Sequence, residues 1–133
     1  WYNISKFKTK PSKKVYKDGE NFKITTFSKV RQDLNEFKKV LASGQTIIGG
    51  YYLYDSFESE TTTKTGIVSM PKSDENIAGG HAMLIVGYDD ATSRFKLRNS
   101  WSQNWGDNGY CYFPYEYVID PDLSSDFWTS VPV

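Results

Sequence analysis

Apolar residues recur along this chain with two different periods. Phe22, Ile24 and Thr26 alternate with polar neighbours, which predicts a short half-buried strand. Val30, Leu34, Phe37 and Leu41 recur at intervals of three and four, which predicts an amphipathic helix within about 28–43. Gly44 is placed to end it as a C′ residue. The run QTIIGGYYLY at 45–54 reads as a strongly apolar strand, with Gly49-Gly50 marking a bulge or the close approach of another backbone. A Ser/Thr/Glu-rich loop is predicted at 55–66, a short strand at 67–70 stopped by Pro71, and a second loop at 72–80 closing on Gly79-Gly80. Two strands joined by a turn follow at 83–88 and 94–98, with a further strand at 108–115 beyond a Trp- and Gly-rich loop.

The flanks are less regular. Residues 1–20 are polar and Lys-rich with Pro11, and predict an extended arm. Residues 120–133 read as a C-terminal tail that packs through Phe127 and Trp128. Strands outnumber the single main helix and follow one another by short turns. The pattern predicts one α+β domain over 1–133, a mostly antiparallel sheet carrying one main helix.

Composition narrows the function classes. A chain of 133 residues holds one domain with a modest core, and 17% aromatic content supplies buried area that the 38% apolar fraction alone would not. Lys+Arg and Asp+Glu each total 16, so net charge gives no support for nucleic-acid binding or for an anionic membrane as partner. The lysines between Lys6 and Lys17 read as a solvated face. No apolar run is long enough to span a bilayer. One Cys excludes an internal disulfide, and the His/Cys content offers no cluster for zinc, so neither metal nor cofactor is expected. Asp89-Asp90 and Asp120-Pro121-Asp122 read as turn residues, and Asn3-Ile4-Ser5 as a chance glycosylation sequon. The first residue is Trp1, which is the expectation for a processed or trimmed chain.

The candidate chemistry lies in two segments, GGHAMLIVGYDD and LRNSWSQNWGDNGYCYFPYEYV. His81 is the chain's one histidine. Asn99 follows downstream within Asn-Ser-Trp. A thiol attacks as its thiolate, which a neighbouring imidazolium stabilises, and the same imidazole then protonates the departing amine. A neutral amide that accepts a hydrogen bond from the second ring nitrogen holds the ring in place without burying a charge. An indole over that bond keeps water away, and Trp101 is spaced to supply it.

HAMLIVGYDD followed by NSWSQNWGDNGY closely resembles the histidine and asparagine segments of papain-like cysteine peptidases. The PYEYV ending and the Cys-poor composition look most like the prokaryotic or viral branch. The likeness covers at least residues 30–133 and implies the sheet-rich, barrel-like right domain of that fold. By resemblance, His81 is the general base and acid and Asn99 orients it. Trp101 shields the pair, and Trp105 helps to shape the primed-side wall of the cleft as catalytic support, or belongs to the core. Gly79, Gly80 and Ala82 border the substrate cleft, Ala82 lining a pocket for an apolar side chain. The family usually has Gly where this chain has Ser102, which bears on the local turn only. The resemblance also implies a peptide or protein substrate and a secreted, vacuolar or virion-associated setting.

Cys111 does not fit the nucleophile, because it follows His81 and sits on a predicted strand, where it reads as a small apolar core residue. In the family the catalytic Cys opens a helix about 130–150 residues before the His and Asn. That position, with the Gln of the oxyanion hole, falls before Trp1, on a left domain that this chain lacks and on which the tail at 120–133 is expected to pack or to which it is expected to cross. Two readings stay open. The chain is one piece of a peptidase whose Cys and Gln come from the left-domain segment, or it is a noncatalytic binding or structural relative. On either reading residues 1–133 alone are expected to be inactive, and the bared apolar wall is expected to self-associate or to bind its other half.

Overall fold

The computed structural model describes residues 3–132; residues 1, 2 and 133, the extremities of the expected arm and tail, lie outside the described residues. Six strands form one antiparallel sheet: Ile24–Lys29 (β1), Ile47–Tyr54 (β2), Ile77–Asp89 (β3), Arg94–Arg98 (β4), Tyr110–Pro114 (β5) and Ser124–Pro132 (β6). Their spatial order is β1-β6-β2-β3-β4-β5. The helices are Lys13–Gly19 (α1), Leu34–Ala42 (α2), Glu60–Thr65 (α3) and Tyr115–Ile119 (α4). The architecture is the expected α+β plan.

One face of the sheet makes the core. Burial along β2 alternates, with Ile47, Gly49, Tyr51 and Leu53 inward. Phe95 and Leu97 of β4, Cys111 and Phe113 of β5, and Phe127 of β6 join them. Rings from distant strands meet: Tyr51 lies 5.4 Å from Phe113 and 6.0 Å from Phe127. β2 and β5 are separated by β3 and β4, so in a flat sheet they would stand about 14 Å apart. The 5.4 Å contact therefore requires the sheet to curl, as the barrel-like expectation holds.

Helix α2 closes the concave face. Phe37 is fully buried, 4.7 Å from the ring of Phe127 and 5.7 Å from that of Phe95. Burying a side chain of this size contributes about 1.5–3 kcal/mol. Lys38 of the same helix pairs with Asp90, whose carboxylate also accepts from Tyr115 Oη–H at 2.8 Å. These contacts tie α2 to the β3–β4 turn and to α4. That turn is made as the sequence predicts, the Asp89 carboxylate accepting from Ala91 N–H and Thr92 Oγ1–H.

Several expectations need correction. The helix begins at Leu34, not near residue 28, because Asp33 caps it by accepting from the N–H groups of Asn35 and Glu36. Val30 is buried, but it lies before the helix. Its helical spacing reflects a shared core and no shared element. The extended arm instead carries a 3-10 turn at Ile4–Lys6 and α1, with Ser12 as N-cap. The loop at 55–66 holds a 3-10 turn, Asp55–Glu58, and α3. The strand expected at 67–70 reduces to one bridge between Ile67 and Tyr112. Gly79 and Gly80 do not close a loop; they pair with Leu53 and Tyr52 inside β3. The tail is no appendage either. It forms β6, inserted between β1 and β2.

Candidate functional site

The sheet brings His81 and Asn99 together. His81 shares a face of β3 with the buried Met83 and Ile85, but sits where the strand runs out past the core and is half-buried. β4 pairs Arg98 with Leu84, so its next residue, Asn99, is delivered to the His81 end of β3. His81 Nε2 and Asn99 Oδ1 are 2.9 Å apart.

The donor follows from the surroundings. Asn99 Oδ1 also accepts the Ser100 backbone N–H at 2.8 Å, which fixes the orientation of the amide. An amide oxygen can only accept, so His81 Nε2 carries the proton in the pair. Nδ1 is then the nitrogen left to gain and lose a proton. The cost of this arrangement falls on Asn99 Nδ2, which is buried and has no hydrogen-bond partner among the described residues. An unpaired buried donor costs about 1–3 kcal/mol.

Trp101 covers the pair. Its ring centroid stands 5.3 Å from that of His81, with planes inclined at 31°. Trp105 and Phe57 support it edge-on from behind, at 5.4 Å and 5.6 Å. Trp105 is buried, against Phe57 at 5.3 Å, and does not line the hollows beside His81. Its contacts are those of a core residue that backs Trp101.

The loop carrying these rings is pinned by backbone bonds. Asn99 N–H donates to Gly109 O at 2.9 Å, Gly109 N–H to Trp105 O at 2.8 Å, and Gly106 N–H to Thr63 O at 2.7 Å. Ser102, the residue that departs from the family pattern, has φ +73°, in the left-handed region that favours glycine. Ser therefore holds a glycine conformation, and the departure bears on strain as well as on turn type. Ser102→Gly is expected to raise stability by about 0.5–1 kcal/mol, the relief of left-handed strain less the entropy of an added glycine. A urea midpoint that stays unchanged would sink this expectation.

Two hollows flank His81. One, of about 370 Å³, is lined by Gly50, Tyr51, Tyr52, Gly80, His81, Ala82 and Ser125. The other, of about 160 Å³, runs between Trp101 and Glu58 over Gly79 and Gly80. A Cβ added at Gly79 or Gly80 would meet nothing within 4 Å, and neither has a positive φ. Packing and backbone conformation thus give no reason for glycine here; what the missing side chains leave is open strand surface beside the imidazole. Tyr52, Gly50, Ser125 and Glu58 are not among the cleft residues that the sequence leads one to expect. Alternation along β2 does carry a signal for Gly50 and Tyr52, which share its outer face, whereas Glu58 arrives through a 3-10 turn with no periodic signature.

Cys111 is placed elsewhere. It is fully buried on β5, its Sγ 3.9 Å from Met83 Sδ, and burial pushes the thiol up to about 12. A thiol held protonated and out of reach is no nucleophile. In the folded protein, peptide mapping after a thiol reagent is expected to find Cys111 unmodified until denaturant is added. Rapid labelling in native buffer would contradict its placement.

The sequence profile described as papain family cysteine protease matches residues 2–119. The chain belongs to the papain family. It is 38% identical over 135 aligned residues to an uncharacterised peptidase C1-like protein of Acanthamoeba polyphaga mimivirus, covering 96% of this chain and 43% of that protein. A cathepsin B-like cysteine proteinase of Caenorhabditis elegans is 27% identical over 109 residues, covering 80% of this chain and 31% of that protein. Among solved structures, xylellain, a cysteine protease from Xylella fastidiosa, superposes with a TM-score of 0.86 at 40% identity, over 94% of this chain and 46% of its own. Bromelain from Ananas comosus, at 20% identity and a TM-score of 0.57, shares the fold, over 81% of this chain and 50% of its own. This papain-family chain thus spans less than half the length of its viral and bacterial relatives. The family resemblance read from the histidine and asparagine segments is borne out.

Proposed function

We propose that this chain is the His- and Asn-bearing half of a cysteine peptidase, completed by a segment outside residues 1–133 that carries the nucleophilic Cys and the oxyanion-hole Gln. The observation that carries this is the His81 Nε2–H bond to Asn99 Oδ1 beneath Trp101, with Nδ1 free to exchange a proton. A binding module would gain nothing from an orphaned buried amide that serves only to orient an imidazole. The burial of Cys111 removes the internal candidate for nucleophile.

In this mechanism His81 takes the thiol proton on Nδ1, and the thiolate attacks the scissile carbonyl carbon. The C–N bond breaks as Nδ1–H protonates the departing amine, leaving a thioester. Water then attacks the thioester while His81 accepts its proton; the acid product leaves and the proton returns to the sulfur. Asn99 holds one imidazole orientation through all four transfers, and Trp101 excludes water from the bond that does so. Peptide would lie along the bare backbone of Gly79 and Gly80, with Ala82 beneath an apolar side chain. Trp105 acts through Trp101. Residues 1–133 form the domain that meets the other segment. Exposed Ile48, Tyr52 and Ile77 supply apolar surface for that contact.

The test is made on the full-length protein. A thiol-directed electrophile is expected to modify one cysteine outside residues 1–133 and to abolish peptide hydrolysis in proportion. Full-length protein without such a cysteine, or hydrolysis that survives complete modification, would overturn the proposal.

A further inference from the structure

The hollow beside His81 that runs between Trp101 and Glu58 has a charge that the mechanism above does not use. Glu58 ends the 3-10 turn at Asp55–Glu58 and lines this space. The other carboxylates nearby are engaged. Asp55 accepts from Asn76 Nδ2–H at 3.3 Å, and Glu75 accepts from the N–H groups of Ser56 and Lys72 at 3.1 and 2.8 Å. Those two backbone bonds, Lys72 foremost, hold Glu75 below the usual carboxylate range, so it stays charged and occupied. Among the described residues Glu58 forms no ion pair. It is the carboxylate of this turn left to meet something arriving from solvent.

The other walls suit a long cationic side chain. Trp101 is 39% exposed and lines the hollow, and an indole attracts an ammonium or guanidinium to its face. The floor, Gly79 and Gly80, has no side chain to obstruct an alkyl stem and room where one could have stood. An apolar stem over glycine and indole with a charged head at a carboxylate is how Lys and Arg are held at a partly wet surface.

We propose that Glu58 is a specificity-determining residue, selecting polypeptide that carries Lys or Arg at one position next to the scissile bond. This rests on the peptidase reading of the site and names its substrate class. Of the two hollows at His81 this one has a carboxylate in its lining and the other has none, so the preference belongs to one side of the cleaved bond.

The experiment compares kcat/KM of the full-length protein on peptides bearing Lys, Ala or Glu at each position flanking the cleaved bond. One position is expected to favour Lys over Glu about three- to tenfold at low salt, as for attraction and repulsion at a partly exposed pair, and to lose that preference in high salt. Glu58→Gln is expected to bring the ratio near one, and Glu58→Lys to invert it. Equal cleavage of the three peptides by the natural protein would overturn the proposal. So would a Lys preference that persists in Glu58→Gln. If no peptide is hydrolysed at all, the peptidase reading itself falls and takes this inference with it, an outcome distinct from hydrolysis without charge preference.

Discussion

His81→Ala in the full-length protein is expected to lower kcat/KM for peptide hydrolysis by about 10²–10⁴-fold, the usual worth of a positioned general acid–base. The variant removes both the base that activates the thiol and the acid that protonates the departing amine. The fold should tolerate it, because His81 sits at the rim of β3 and its one side-chain hydrogen bond goes to Asn99. Asn99→Ala is expected to cost less than His81→Ala, because the imidazole remains and only its orientation is lost. The deficit should fall on kcat more than on KM, since Asn99 is buried behind His81 and lines neither of the hollows that flank the ring. Removing Asn99 also deletes the unpaired Nδ2, so part of the stability lost with the two accepted bonds is recovered. Circular dichroism and the urea midpoint of each variant separate folding from chemistry. If His81→Ala keeps its rate within about threefold, a value far below what acid–base catalysis supplies, His81 is not the acid–base.

The second large effect is structural. Gly66 and Gly106 both have positive φ, and a Cβ on either would fall on the Tyr110 carbonyl oxygen. That obstacle is backbone, fixed by Tyr110 N–H to Asp107 O at 3.0 Å and by the Asp107–Tyr110 bridge, and cannot swing away like a side chain. Gly106→Ala is therefore expected to cost about 2–5 kcal/mol, combining left-handed strain with overpacking. Gly106 N–H is also the tie from this loop to Thr63, so the damage should reach the segment that positions Trp101 and Asn99. Gly87→Ala, at a strand glycine with open space around its Cβ and ordinary φ, is the control and should cost little. A Gly106→Ala variant with an unchanged urea midpoint would refute the account.

The site was more legible in the sequence than the sheet around it. His81, Asn99 and Trp101 lie on adjacent segments, with β4 ending next to Asn99, so their spacing along the chain carries their spacing in space. Trp105 could not be divided between core and cleft without the Phe57 ring behind it, which comes from a different stretch of chain. β6 was hidden by its own irregularity. Asp126 has φ +60° and sits at a register shift, where Ile48 pairs with Trp128 but Gly50 pairs with Ser125. The inward positions Ser124, Phe127 and Thr129 therefore lose the strict alternation that marks a strand. Gly79 and Gly80 misled for another reason. Glycine usually punctuates a loop, whereas here Leu53 and Tyr52 opposite it supply the pairing that holds the strand.

The place of β6 in the sheet has a consequence for biosynthesis. β1 has β6 as its neighbour in the ladder, and Thr25 Oγ1–H reaches the Val131 carbonyl across 106 positions of sequence. As the chain leaves the ribosome, β1 and the outer edge of β2 stay bare until residues 124–132 have emerged. During that interval the unpaired N–H and C=O groups of β1 and of the outer edge of β2 are open to any other strand edge nearby. Pairing of β6 is then the step that closes both edges at once.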